Sequence, residues 1–470
     1  MAKHISINRR YQLPPEVEVI SDVEDPAHNR IDIHISFPSP ERICPRCGSR
    51  NCVVKDSGRM QTVRHLPAMS RSVFVTFKRR RFLCKDCGSS YYEPVDLIHD
   101  RLHMTKGLLV DICLKLTEMK TMRQIAADEM VTEDVVSDVL SIISIGRPEH
   151  LPHILCVDEF KGNSGSYTPE RQKRDTRKFL TNITDGDRHV LVDVLPFIKG
   201  SEVGDYFMDY SLQERNRVKY FSCDMSNSYI SVAKRCFPNA LVCIDLFHIV
   251  KRLNDAMDGI RIRVQNSLLK ASREASLLAE NEDNPDKKEQ YVQEQIKQFS
   301  NYSRLKNAHI ILVTKESSKE ALWGTRMTAQ TERLRIALSF SPDLQEMYDR
   351  LQEFHVILET KEFTLQRAGF TDWLDQCLSS EVPEIRSAAS TLKHWRGYIH
   401  NTWKYRHVSN GIAEGINNKI KTFKRICYGC PDFESFRKRL LLVCGPIHTV
   451  HSPAVTFRNK INDGKGEIRL

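Results

Sequence analysis

The stretch from His153 to Ile244 restricts the architecture of this chain more than any other. Five short apolar runs, His153–Phe160, Lys178–Thr184, His189–Pro196, Val218–Cys223 and Ala240–Ile244, have the length and composition of strands. Ser201–Gln213, with Val203, Tyr206, Phe207 and Tyr210 at helical spacing, separates the third run from the fourth, and Ser226–Cys236 separates the fourth from the fifth. This order predicts a three-stranded meander followed by strands joined through helical crossovers. The run Ile154-Leu155-Cys156-Val157 has no polar alternation, as expected of a central strand buried on both faces, and Asp158 ends it. A carboxylate in that place is costly unless it is paired or bound to a metal ion.

Strand, strand, strand, helix, strand, helix and strand is the order of the ribonuclease H-like fold. Its first and fourth strands are neighbours, so Asp158 and Asp224, which follows Val218–Cys223, are expected to approach across about one strand spacing of 5 Å. The carboxyl ends of strands are where α/β folds place their sites. A third acid, Glu414, lies on an amphipathic helix expected over Asn410–Ile426, which Ser409 or Asn410 can cap. Its apolar stripe is Ile412, Ile416, Ile420 and Phe423, and Glu414, Asn417, Asn418, Lys421 and Arg425 fall on the polar face. Three clustered carboxylates call for a compensating cation, and hard oxygen ligands select Mg²⁺ or Mn²⁺. Taken singly, Asp224 could cap the helix near Ser226, and Glu414 could be a first-turn acid favoured by the helix dipole. Asp245, in Asp245-Leu246-Phe247-His248 after the fifth run, competes with Asp224 as a ligand; with His248 it otherwise reads as a pair orienting the site, or as a helix-cap Asp beside a packed His.

The N-terminal part has a different chemistry. Cys44-Pro45-Arg46-Cys47-Gly48 and Cys84-Lys85-Asp86-Cys87-Gly88 are two knuckles, each aiming two thiolates at one point, with a strand expected at Ser72–Phe77 between them. They predict a zinc ribbon with Cys44, Cys47, Cys84 and Cys87 as structural ligands; the alternative is two unrelated pairs of buried or redox-active cysteines. From Thr105 to Ile145 the spacing is helical. Thr121 caps a short helix through Ala127, and a turn near Thr132 leads into Glu133–Ile143, describing a helix-turn-helix or a plain helical hairpin. Arg123, Gln124 and the following helix would then read DNA sequence, while Lys78, Arg79, Arg80 and Arg81, and Lys419, Lys421, Lys424 and Arg425, would hold phosphate; Asn417 and Asn418 are counted among the DNA-binding residues. The formal charge of +10 agrees with a polyanionic partner without requiring one. No apolar run approaches membrane-spanning length, and the N-terminus has no secretory pattern, so a cytoplasmic location near the nucleoid is expected.

These residues, in order, resemble the ISL-three family of bacterial insertion-sequence transposases. The matching stretches are Ile43–Gly48, Arg81–Cys87, Val157–Phe160, Asp224-Met225, Ile244–Val250 and, most specifically, Ser409-Asn410-Gly411-Ile412-Ala413-Glu414-Gly415-Ile416-Asn417-Asn418-Lys419-Ile420-Lys421. The resemblance implies a DNA transposase that binds terminal inverted repeats and performs metal-dependent strand cleavage and strand transfer. It implies Asp158, Asp224 and Glu414 as the catalytic triad, with Asp245 and His248 matching an Asp-x-x-His element. The linker after Phe160, with its basic stretch at 171–178, is longer and more polar than the family pattern.

The expected organisation is α/β and multidomain. Residues 1–98 form a zinc-ribbon domain, 99–148 a helix-turn-helix, and 149–255 the first part of a ribonuclease H-like core. An all-α insertion over 256–395, anchored by Trp323, Trp373, Trp395 and Trp403, interrupts that core; 396–450 complete it and 451–470 are a polar tail. Double-stranded DNA is the expected partner, from transposon ends and target, and synapsis of two ends predicts a homodimer or larger assembly. A DNA-binding regulator derived from an inactive transposase, and a nuclease on the same fold, are the alternatives.

Overall fold

The computed structural model describes residues 7–38, 41–99, 101–162, 179–426, 432–446, 453–462 and 468–470. The basic linker stretch at 171–178 and the start of the second expected strand therefore lie outside the described residues. The chain forms two compact units, Met1–Tyr206 with Ile412–Leu470, and Phe207–Gly411. The boundary at Tyr206 falls inside the segment expected as the first part of the catalytic core.

In the first unit, β1 (Glu18–Asp25), β2 (Arg30–Ser36), β3 (Cys52–Ala68), β4 (Arg71–Cys84), β5 (Ser90–Tyr92), β6 (Ile98–His99) and β7 (Met104–Thr105) form a sheet of order β1-β2-β4-β3-β7-β6, with β5 on the far end of β4. β2 alternates half-buried and buried positions, and Ile31, Ile33 and Ile35 join Val73, Val75 and Phe77 in one core. Buried His65 ties this sheet to the next module. The Tyr11 carbonyl can only accept, so His65 Nε2 donates to it (2.6 Å) and the neutral ring's Nδ1 accepts from the Thr105 hydroxyl (2.9 Å), which itself accepts from the Leu108 amide. Burial depresses the pKa of this imidazole.

Helices Lys106–Lys115, Met122–Asp128 and Glu133–Ile142 follow. Thr121 forms a full capping box with Gln124, while Thr132 occupies the next cap position without a side-chain bond. Leu108, Ile112, Ile125, Val136 and Val139 share their core with Phe457, Ile461 and Ile468, which belong to the segment expected as a polar tail. There, the strand Ile468–Arg469 pairs in parallel with β8 (Ile143–Ser144). Arg439, 2% exposed, reaches from the helix Phe433–Cys444 to donate to the carbonyls of Leu116 and Lys120, with its guanidinium 5.3 Å over the Phe423 ring. It satisfies carbonyls at the end of one helix and packs on another, locking the two modules together.

The expected meander is present as β9 (Ile154–Lys161), β10 (Phe179–Asp185) and β11 (Val190–Leu195), antiparallel with β10 in the middle. Ile154 is 5% exposed and Leu155, Cys156 and Val157 are 0%, as their unbroken apolar pattern requires. The helix Gly411–Ile426 lays Ile416, Ile420 and Phe423 on Phe160, Leu180, Leu191 and Val194.

In the second unit β12 (Tyr220–Cys223) and β13 (Leu241–Ile244) run parallel, joined by the helix Asn227–Cys236. The chain then enters the long helix Leu246–Glu280 and its partner Pro285–Lys306, whose start is set by the Asn284 cap and Pro285 in the first turn. Further helices continue to Lys404, and all four tryptophans are buried among them. The last of these helices, Pro383–Lys404, covers β13: Thr402 Oγ1 exchanges hydrogen bonds with Ile244 N and O, and Asn401 donates to the Val242 carbonyl. Side chains thus satisfy backbone groups of β13.

Candidate active site and zinc centre

Asp158 lies half-buried on β9, directly after the buried run. Its Oδ1 accepts from the Glu159 amide at 2.7 Å, and its Oδ2 accepts from Asn417 Nδ2 at 2.6 Å. Asn417 is on the helix Gly411–Ile426, whose first amide is satisfied by Ser409 Oγ at 3.1 Å. Glu414 is exposed in the first turn of that helix, three residues before Asn417 and so about one turn, ~4.5 Å, along the axis. The bond to Asp158 therefore holds the helix bearing Glu414 against the strand bearing Asp158.

Asn417 itself corrects the sequence reading. The sequence puts it on the polar face of its helix, but it is 5% exposed and points into the protein. It stands four residues after buried Ala413 and three before buried Ile420, and that spacing was the signal available in the sequence.

Asp224 and Asp245 follow paired strand ends: Cys223 is opposite Ile244, and the Asp245 amide donates to the Cys223 carbonyl at 3.1 Å. Asp245 Oδ1 also caps the helix Leu246–Glu280 by accepting from Phe247 N. His248, one turn into that helix, places Nε2 3.1 Å from Asp224 Oδ1, and Asn410 Nδ2 lies 3.4 Å from the same oxygen. Donor atoms of Asp224, Asp245 and His248 all lie within 4.8 Å of one another. The rival acids are thus neighbours in one cluster, and Asp245 is both a helix cap and part of it.

The knuckle cysteines converge as their spacing predicts. Cys44 and Cys87 sulfurs are 3.7 Å apart and those of Cys47 and Cys84 3.6 Å. Four thiolates around a tetrahedral zinc stand about 3.8 Å apart, so the set fits that ion. The Cys87 amide, donating to Cys84, draws that thiol down to about 6, and the Cys47 amide lowers Cys44 likewise. Gly48 and Gly88 take φ of 74° and 68°, the turn that ends each knuckle.

The cations divide into committed and available groups. Arg80 forms an ion pair with Glu93, which is 2% exposed; Arg79 donates to the Glu93 carbonyl, and Arg81 sits over the Tyr92 ring. Lys78 is exposed. Lys419 donates to the Val443 carbonyl and Lys424 to that of Lys161, whereas Lys421, Arg425 and Asn418 are exposed. Arg123 is exposed, but the Gln124 side chain closes the Thr121 capping box. Replacing Lys421 and Arg425 together by Gln is expected to weaken binding to terminal and scrambled duplexes alike. Fluorescence anisotropy against salt should show the slope of log K falling by about 2; a loss confined to the terminal sequence would contradict a phosphate role.

Residues 155–440 match the profile of the DDE transposases of the ISL3 type, described as "Transposase". The chain belongs to that transposase family. Residues 40–87 match the zinc-finger of transposase IS204/IS1001/IS1096/IS1165, which covers both cysteine knuckles. The transposase is 23% identical over 436 residues to the transposase for insertion sequence element IS1001 of Bordetella parapertussis, covering 89% of this chain and 93% of the relative. It is also 23% identical over 255 residues to the transposase for insertion sequence element IS1557 of Mycobacterium tuberculosis, covering 54% of this chain and 53% of the relative. Its catalytic segment and its zinc ribbon are therefore those of an enzyme acting on DNA. Among the described residues no helix is long and apolar enough to cross a membrane.

Proposed function

We propose that this transposase binds the terminal inverted repeats of an insertion sequence and cleaves and joins DNA strands by in-line phosphoryl transfer, with Asp158, Asp224 and Glu414 as its metal-binding carboxylates. The observation that carries the proposal is the bond from Asn417 to Asp158, which brings the Glu414 helix onto the Asp158 strand. The chain order of β9 to β13 with their intervening helices supports a ribonuclease H-like core, and the capped helices Met122–Asp128 and Glu133–Ile142 support a helix-turn-helix.

The three proposed ligands all offer carboxylate oxygen, which suits Mg²⁺ or Mn²⁺, and Asp245 and His248 stand beside Asp224. A divalent cation held there supplies Lewis-acid activation of a water or 3′-hydroxyl and neutralises charge on the leaving oxygen. Asp158 is held by one backbone and one side-chain donor, so its plane is fixed before DNA arrives. His248 and Asn410 both approach Oδ1 of Asp224. Exposed Lys421 and Arg425, further along the Glu414 helix, would hold the DNA backbone beside the acids. Two bound ends imply a dimer or larger assembly on DNA.

Incubation of the protein with precleaved terminal DNA, a target plasmid and Mg²⁺ tests the proposal. Joined strand-transfer products are expected. Hydrolysis without joining would indicate a nuclease, and specific binding without either reaction a regulator.

A further inference from the structure

We infer that Asn417, with Asn182 behind it, is a positioning residue for Asp158 and not a DNA contact; this rests on the reading of Asp158 as a metal-binding carboxylate. Asn182 is opposite Asp158 in the β10–β9 register and is 0% exposed. Its Nδ2 donates to Asn417 Oδ1 at 2.5 Å, and Asn417 Nδ2 donates to Asp158 Oδ2 at 2.6 Å. Chemistry sets the direction of this relay. An ionised carboxylate only accepts, so Asn417 must turn its NH₂ to Asp158 and its carbonyl to Asn182. Asn182 must in turn present its own NH₂.

That direction leaves the buried Asn182 Oδ1 without a hydrogen-bond partner among the described residues. Buried polar atoms are nearly always satisfied, and an orphan costs stability. The relay keeps the cost and gains a fixed Asp158. A neutral donor suits the task better than Lys or Arg would. It orients the carboxylate through one lone pair and adds no positive charge of its own, whereas an ammonium or guanidinium would compete with a bound cation. Partners of this kind, one shell out from a metal ligand, change metal affinity or activity by about 10- to 100-fold. Asn417 is also three residues from Glu414, so one helical turn supplies a carboxylate and orients another.

The test compares Asn417→Leu and Asn417→Asp with the parent and Asp158→Ala, measuring terminal-strand cleavage against Mg²⁺ concentration, duplex binding in EDTA, and the melting temperature. Asn417→Asp keeps the shape and guards against misfolding of the leucine variant. Both Asn417 variants are expected to lose about 10- to 100-fold in cleavage at fixed Mg²⁺, with a higher half-saturating Mg²⁺ for the leucine variant. Metal-free duplex binding should match the parent. Weakened duplex binding with an unchanged Mg²⁺ dependence would make Asn417 a DNA contact and overturn the inference. Parental cleavage by both Asn417 variants, with Asp158→Ala inactive, would overturn it while leaving the catalytic reading intact. An active Asp158→Ala would remove the catalytic reading itself.

Discussion

Asp158→Ala is expected to lower terminal-strand cleavage on the order of 10³-fold or more, about 4 kcal/mol of transition-state stabilisation. The duplex should still bind. The carboxylate directly follows the apolar run Ile154–Val157 within β9, and the Glu159 amide and the Asn417 amide group donate to it. Alanine removes the proposed metal ligand outright. The fold should tolerate the change. Asn417 loses its acceptor, costing about 1–3 kcal/mol, but the half-buried charge disappears with it. Cleavage of labelled terminal DNA in Mg²⁺, with anisotropy binding and thermal melting as controls, decides the matter. Cleavage within tenfold of the parent would remove Asp158 from the catalytic machinery.

Cys84→Ser, or stripping with a strong chelator, is expected to take bound zinc from about one ion per chain to near none. Terminal-end binding should fall more than about tenfold. Apart from the bonds of Ser49 and Asn51 to Asp86, the knuckles rest on a small core of Cys44, Cys52 and Cys84, with Cys87 and Tyr91 against it. The lower parts of β3 and β4 rest on a different core, of Val63, Val73, Val75 and Phe77 with β2, and should survive. Limited proteolysis should therefore cut near residues 41–51 and 84–91 in the zinc-free protein, with the helix Gly411–Ile426 still protected by Phe160, Leu180 and Leu191. Metal analysis beside proteolysis reads the result. A zinc-free protein with parental binding and cleavage pattern would show that the cysteines are a packing cluster.

Much of the fold was legible because its causes are local. The run Ile154–Val157 announces a strand buried on both faces, the alternation in β2 gives its buried face, and Thr121 with Gln124 writes a helix start within four residues. Other features escaped. The helix expected over Ser201–Gln213 is broken into Gly200–Met208 and Leu212–Arg215 by a Ser211 cap. The terminal segment looked polar because its few apolar residues, Phe457, Ile461 and Ile468, are sparse in the sequence and meet a core built more than three hundred residues earlier.

The surroundings of the acids named from the sequence are what the fold adds. Strand periodicity, the double knuckle and the stripe of Ile416, Ile420 and Phe423 come from spacings of two to four residues, which the chain displays openly. The partner of a polar group has no such period. Asn417 bonds to residues 235 and 259 positions away, and Arg80 finds buried Glu93 across the strands, so tertiary structure alone decided that one holds an acid and the other is not free for phosphate. It also decided that Asp224, Asp245 and His248 form one cluster, because parallel pairing of β12 with β13 brings both strand ends together. A hydrogen bond is satisfied by whatever the folded chain delivers within about 3 Å, and sequence spacing specifies that only for near neighbours.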